Sequence, residues 1–163
     1  MSDWGRFEGA VVASWNDDGR DMTLVEPFAY LDRADVRWEA ATGAVVNGAS
    51  IPQAFWSLIG GPFAGRFRKA SVVHDVACVD RERPWQQVHR MFYEASRCGG
   101  VAVVKAKMMY YAVYHFGPRW SGTGRQLRDE TPPPPSPQQA AAVDRWFQEH
   151  DVAADEIPSL VIE

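Results

Sequence analysis

The sequence predicts an α+β fold: a small N-terminal antiparallel β-sheet packed on a helical bundle of three to four helices, with an extended Pro-rich C-terminal arm and terminal helix. Three observations carry this. The first 50 residues alternate short apolar runs with turn signals. Residues 50–117 show helical stripes bounded by proline starts and glycine stops. Pro132 to Pro135 then stand in an unbroken row. The boundaries follow as 1–120 for a globular domain, 121–139 for a Gly/Pro-rich linker, and 140–163 for an acidic helix and tail.

In the β part, Gly9 to Trp15 is a short apolar run before Asn16-Asp17-Asp18-Gly19, a strong turn signal. Met22 to Leu31 and Val36 to Val46 supply two more strands, and Pro27 implies an edge or bulge in the first of them. Trp38, Ala40 and Thr42 alternate with Arg37, Glu39 and Ala41 at a period of two. Ser50-Ile51-Pro52-Gln53 then matches a helix start, with Ser50 capping and Gln53 completing a capping box. Ala54 to Leu58 is a short helix stopped by Gly60-Gly61-Pro62. Phe67 to Val79 is the next, with Ala70, Val73 and Ala77 on one stripe. Pro84 opens a helix running to Arg97, where its missing N–H costs little, and Gly99-Gly100 ends it. Val101 to Phe116 is a further helix, stopped at Gly117-Pro118. Beyond the proline row, Ala140 to His150 is amphipathic, showing Val143, Trp146 and Phe147.

The net charge of −4 conceals a segregation. Residues 1–65 carry 4 basic and 9 acidic groups, residues 66–128 carry 12 and 4, and residues 129–163 carry 1 and 8. A basic middle therefore lies between two acidic ends. Such an arm can fold back on the body as a clasp, which predicts salt-sensitive release. The overall balance argues against sequence-specific nucleic-acid binding. The opening Met1-Ser2-Asp3-Trp4 has neither a basic nor an apolar leader, so cytoplasmic synthesis without secretion is expected. The apolar stretch Val101 to Phe116 contains Lys105 and Lys107 and is too short for a bilayer, which needs roughly 20 residues. Cys78 and Cys98 do not make a disulfide framework.

The chemistry-bearing residues cluster in two helices. His74 lies six residues before Asp80, and His89 five after Pro84. In an antiparallel hairpin both would sit roughly 8–9 Å above the loop and face each other. Cys78 is the i+4 neighbour of His74 on the same face. Zinc held by His74, Cys78 and His89 is one reading, and a buried polar pair at His74-Asp75 is another. The Arg66, Arg68 and Lys69 group is either a solvated face or a patch for an anionic partner. For Ser50, the capping box accounts for the residue without a nucleophilic role.

At these residues the sequence resembles a family of domains of unknown function (number 1353) widespread in tailed phages and prophages. The resemblance rests on Gly48-Ala49-Ser50-Ile51-Pro52, on His74-Asp75, on Val88 through Phe92, and on the helix closing at Phe116-Gly117. It spans residues 9–120. The family pattern in turn looks like the helix pair of small phospholipase A2 enzymes. That resemblance implies His74 as a base activating water and Asp75 as a calcium ligand, with an orienting aspartate at the position occupied here by His89. Asn47 also stands where the family has an aspartate, and Gly60 through Gly65 do not match the enzymes' calcium loop.

Two functions are expected from this. One is a virion-associated or morphogenesis accessory protein that binds neighbouring subunits of a phage assembly through Trp146, Phe147, Ile157, Leu160, Val161 and Ile162. The other is a small metal-dependent hydrolase acting on lipid or cell-envelope substrate, with His74, Asp75 and His89 catalytic and Asp75 and Cys78 on a metal. No cofactor is implied beyond a divalent ion, calcium or zinc.

Overall fold

A computed structural model describes residues 3–162. Met1 and Ser2 of the opening segment and Glu163 of the acidic tail lie outside the described residues. The fold is α+β, as the sequence predicts, with eight short strands and five α-helices among the described residues.

The strands are β1 (Arg6–Glu8), β2 (Ala13–Trp15), β3 (Met22–Leu24), β4 (Phe28–Leu31), β5 (Arg37–Ala40), β6 (Val45–Val46), β7 (Trp120–Ser121) and β8 (Arg128–Asp129). They form antiparallel sheets ordered β1-β4-β5 and β2-β3-β6, with β7 and β8 a separate pair. Each of the two long strands expected from the sequence is thus divided between two sheets. The first breaks at Pro27, which has no N–H for a ladder. The second breaks at the turn around Gly43, whose φ of +91° suits glycine. Trp38 and Ala40 point inward while Arg37 and Glu39 are exposed, as the period of two requires. Thr42 belongs to the turn instead and is exposed.

The helices are α1 (Trp56–Ile59), α2 (Arg68–Asp80), α3 (Trp85–Cys98), α4 (Val103–Phe116) and α5 (Pro137–Glu149). The expected helix after Ser50 begins as a 3₁₀ turn over Gln53–Phe55 and has no side-chain cap. The capping box lies instead at Ser136, whose hydroxyl accepts from the Gln139 N–H while the Gln139 side chain accepts from the Ser136 N–H. Helices α2 and α3 form the antiparallel hairpin, turned by Arg81 in left-handed geometry (φ +53°). Helix α4 packs on α3, α5 and a 3₁₀ segment over Ala154–Ser159. Its Met108, Met109, Tyr110, Tyr111, Ala112 and Val113 are all buried, which explains its apolar composition.

The arm folds back. Ala140, Val143, Phe147, Val152 and Ile157 belong to the single core cluster of the body. Arg90 pairs with Asp155 at 2.9 Å and Lys107 with Asp151 at 3.4 Å, joining the basic middle to the acidic end. No helix among the described residues is long and apolar enough to cross a membrane.

Candidate active site

The site is assembled where α2 and α3 meet the loop before α1. Gly48 opens that loop at φ +77°, where a Cβ would collide with the Pro62 ring, so the loop lies against residues 62–63 in a way that needs glycine. Asp75 then fixes it from below: its carboxylate accepts the Asn47 N–H at 2.9 Å and the Ser50 N–H at 3.3 Å. The Asn47 side-chain carbonyl accepts the Ala49 N–H at 2.9 Å. These bonds hold Ser50 above His74.

Ser50 Oγ lies 3.1 Å from His74 Nδ1, His74 Nε2 lies 2.9 Å from His89 Nδ1, and His89 Nε2 lies 2.7 Å from the Pro118 carbonyl oxygen. The proton positions follow from the far end. A carbonyl only accepts, so His89 Nε2 must carry a hydrogen, and a neutral His89 then has a bare Nδ1. His74 Nε2 must therefore donate to it, leaving His74 Nδ1 bare. Among the described residues, only the Ser50 hydroxyl supplies the hydrogen there. All donors point one way, from Ser50 to Pro118.

The surroundings keep both rings neutral. Ser50 is 4% exposed, and His74 and His89 are fully enclosed. The Phe92 ring stands 4.6 Å from His74, centre to centre, and Trp85 and Trp120 flank His89. Burial drives His74 well below its ordinary range, with the second ring adding to the effect. Burial likewise lowers His89 to about 4, opposed by its bond to Pro118 and aided by Arg119. His74 therefore retains a free lone pair at neutral pH.

Cys78 Sγ lies 3.6 Å from His74 Nε2, one helical turn along. Burial, reinforced by Asp75, raises its thiol well above the usual range. His74, Cys78 and His89 offer ligand atoms within 4.8 Å of one another, a set compatible with a metal ion. Asp75 is not in that set. Each of its oxygens accepts one backbone N–H, which gives it the task of holding the Ser50 loop.

Ser50 is one of the residues lining a cleft of about 210 Å³, walled also by Gln53, Phe116, Pro118, Thr131 and Pro134. The arm thus supplies one wall. A larger cleft of about 450 Å³, bordered by Arg37, Trp38, Asp80 and Arg83, includes none of the relay residues. Proximity to the chemistry places the site at the smaller one.

A family model described as "Protein of unknown function (DUF1353)" matches residues 22–113, more than half of the chain. The chain belongs to this family. The DUF1353 match contains Ser50, His74, Asp75, Cys78 and His89, and ends before Pro118. Two relatives come from Sinorhizobium fredii (strain NBRC 101917 / NGR234). "Uncharacterized protein y4jT" is 48% identical over 120 residues, covering 72% of this chain and 36% of the relative. "Uncharacterized protein y4iH" is 37% identical over 103 residues, covering 63% and 43%. The chain therefore spans less than half the length of these relatives. No solved structure matches the chain.

The other expected residues lie apart from the relay. Arg66 donates to the Gly100 carbonyl at 3.0 Å and Arg68 to the Phe63 carbonyl at 2.9 Å, while Lys69 sits over the Phe7 ring. Phe147 and Ile157 are buried in the chain's own core, and Trp146, Leu160 and Ile162 are partly buried against it. Val161 alone of the six expected arm anchors is exposed. Sequence reasoning passed over Ser50, because Ser-x-x-Gln reads as a cap. It also passed over Pro118, since a carbonyl leaves no mark in a sequence.

Proposed function

We propose that this domain is a small hydrolase working by acyl transfer, with Ser50 as nucleophile, His74 as general base and His89 as the residue that orients His74. The observation that carries this is the unbroken series of hydrogen-bond contacts from Ser50 Oγ through His74 and His89 to the Pro118 carbonyl, an obligate acceptor that sets the direction of the whole series. Ser50 Oγ attacks the carbonyl carbon of a bound ester while its proton passes to His74 Nδ1. The imidazolium so formed is held by the bare Nδ1 of His89. As the tetrahedral adduct collapses, His74 returns the proton to the departing alcohol, and a water then repeats the sequence to free Ser50.

The cleft favours a neutral acyl group. Among the described residues, no charged side chain lines it, and its walls are largely proline, phenylalanine and alanine. The Ser50 and Asn47 N–H groups are committed to Asp75 and do not serve a developing oxyanion. Gln53 is the lining residue with side-chain N–H donors for that purpose. The resemblance to phospholipase A2 supports the part of His74 as base. The proposal differs in using Ser50 rather than a calcium-bound water, because the Ser50 hydroxyl already stands on His74 Nδ1 and Asp75 holds the Ser50 loop. A role in phage assembly through the arm has less support, since the arm's main apolar anchors pack on this chain's own body.

The test is labelling with a fluorophosphonate and assay against a panel of uncharged aryl esters. Wild type is expected to take one label on Ser50 and to hydrolyse the shorter esters. Ser50→Ala should take none, and His74→Gln should react at least about 100-fold more slowly. A folded wild type that neither takes label nor cleaves any neutral ester would overturn the proposal.

A further inference from the structure

We propose that His74, Cys78 and His89 form a zinc-class metal site whose occupation switches Ser50 off; the site stands independently of the acyl-transfer reading, and the switch rests on it. The three ligand atoms lie within 4.8 Å of one another. With Zn–S of about 2.3 Å and Zn–N of about 2.0 Å, a tetrahedral site has an N···S edge of roughly 3.5 Å and an N···N edge of roughly 3.3 Å. The His74 Nε2 to Cys78 Sγ distance is 3.6 Å, already that edge. The His74 Nε2 to His89 Nδ1 distance is 2.9 Å and has to widen by a few tenths of an ångström, while the Cys78 to His89 separation, within 4.8 Å, has to close toward the N···S edge as the ion enters.

The outer contacts suit a metal as well. His89 presents its Nδ1 lone pair because Pro118 fixes the hydrogen on Nε2, the arrangement by which carbonyls orient metal-binding imidazoles. Two nitrogens and a thiolate are a borderline-soft set, suited to zinc rather than calcium, which takes oxygen ligands. Three protein ligands leave the fourth tetrahedral position without a protein donor.

The proton balance connects the site to Ser50. Binding requires a bare His74 Nε2 and a Cys78 thiolate. The neutral His74 ring therefore moves its hydrogen to Nδ1, and the Cys78 proton leaves to solvent, one proton released per ion. His74 Nδ1–H then donates to Ser50 Oγ. The hydroxyl loses its base, and the relay runs backwards at its first link.

The experiment uses the full chain freed of metal with a chelator, titrated calorimetrically with zinc in buffers of different ionisation enthalpy. The expected result is one ion per chain with one proton released. Cobalt(II) should give a thiolate charge-transfer absorption. Cys78→Ser should bind at least tenfold more weakly, while Cys98→Ser binds as wild type. Zinc should move the His74 hydrogen from Nε2 to Nδ1 in long-range ¹H–¹⁵N spectra, a readout that needs no substrate. Failure to bind stoichiometrically, or equal binding by Cys78→Ser, would overturn the site. Zinc bound with the hydrogen still on Nε2 would overturn the switch. A wild type that binds zinc but cleaves no ester counts against the acyl-transfer proposal alone.

Discussion

His74 Nε2 stands 2.9 Å from His89 Nδ1 inside the α2–α3 hairpin, so two neutral imidazoles share one hydrogen where a carboxylate would ordinarily face a catalytic histidine. Burial holds both below their ordinary range, His89 at about 4 against a usual 6.5. Because the folded values are depressed, the unfolded chain binds more protons between the two. The stability is fully present above pH 6.5 and is lost as pH falls toward 4. Denaturant melts at pH 7 and pH 5 should differ by on the order of 2 kcal/mol from His89 alone. His89→Gln should flatten that dependence. An equally steep loss in His89→Gln would place its origin elsewhere.

Asp75 joins α2 to the Ser50 loop through two backbone N–H groups. An asparagine there turns one acceptor into a donor facing an N–H, at a cost of about 1–3 kcal/mol. Asp75→Asn is expected to lower the melting temperature and to slow Ser50 labelling. Added calcium should leave the wild-type melting temperature unchanged, since the carboxylate holds the Ser50 loop. A calcium-induced rise that Asp75→Asn abolishes would restore the metal-ligand role.

Charge segregation alone predicts an arm released by salt. The structure changes that expectation, because Phe147 and Ile157 are buried at 3% and 0% exposure, while Asp155 and Asp151 in the ion pairs are almost fully exposed. Exposed pairs of this kind contribute at most about 1 kcal/mol. Truncating a buried phenylalanine costs about 3–5 kcal/mol. Proteolysis within residues 121–136 should therefore proceed at nearly the same rate in low and high salt, and accelerate in Phe147→Ala. Strong acceleration of wild-type cleavage by salt would show that charge, not burial, holds the arm.

Ser50→Ala removes the only hydrogen offered to His74 Nδ1 among the described residues and leaves a buried acceptor without that partner. The cost should be about 1–3 kcal/mol, and Ser50→Thr, which keeps a hydroxyl, should recover part of it. Denaturant melts of the three proteins decide this. Equal stability of wild type and Ser50→Ala would mean the hydroxyl does not serve His74.

Much of the framework is legible in the sequence because its signals are local. Pro84 marks the start of α3, Gly99-Gly100 its end, and Gly117-Pro118 the end of α4. The facing of His74 and His89 follows from counting residues on either side of one loop. What escapes sequence reading is long-range. Ser-Ile-Pro-Gln has the residue types of a capping box, and only the fold, by bringing position 50 against position 74, decides that the hydroxyl bonds an imidazole instead. The box that forms, at Ser136 with Pro137 and Gln139, carries the same local signal. Pro27 was readable as an interruption, but not as the point where the chain passes between sheets. The arm's apolar residues were visible; that they cover this chain's own α4 was not, since amphipathicity does not name a partner.

The direction of the hydrogen-bond chain is what assigns Ser50 its role, and long-range ¹H–¹⁵N spectra of the metal-free protein at pH 7 read that direction atom by atom. Both His74 and His89 are expected as neutral rings with hydrogen on Nε2 and a bare Nδ1. A His74 ring carrying its hydrogen on Nδ1, and so donating to Ser50, would contradict the relay.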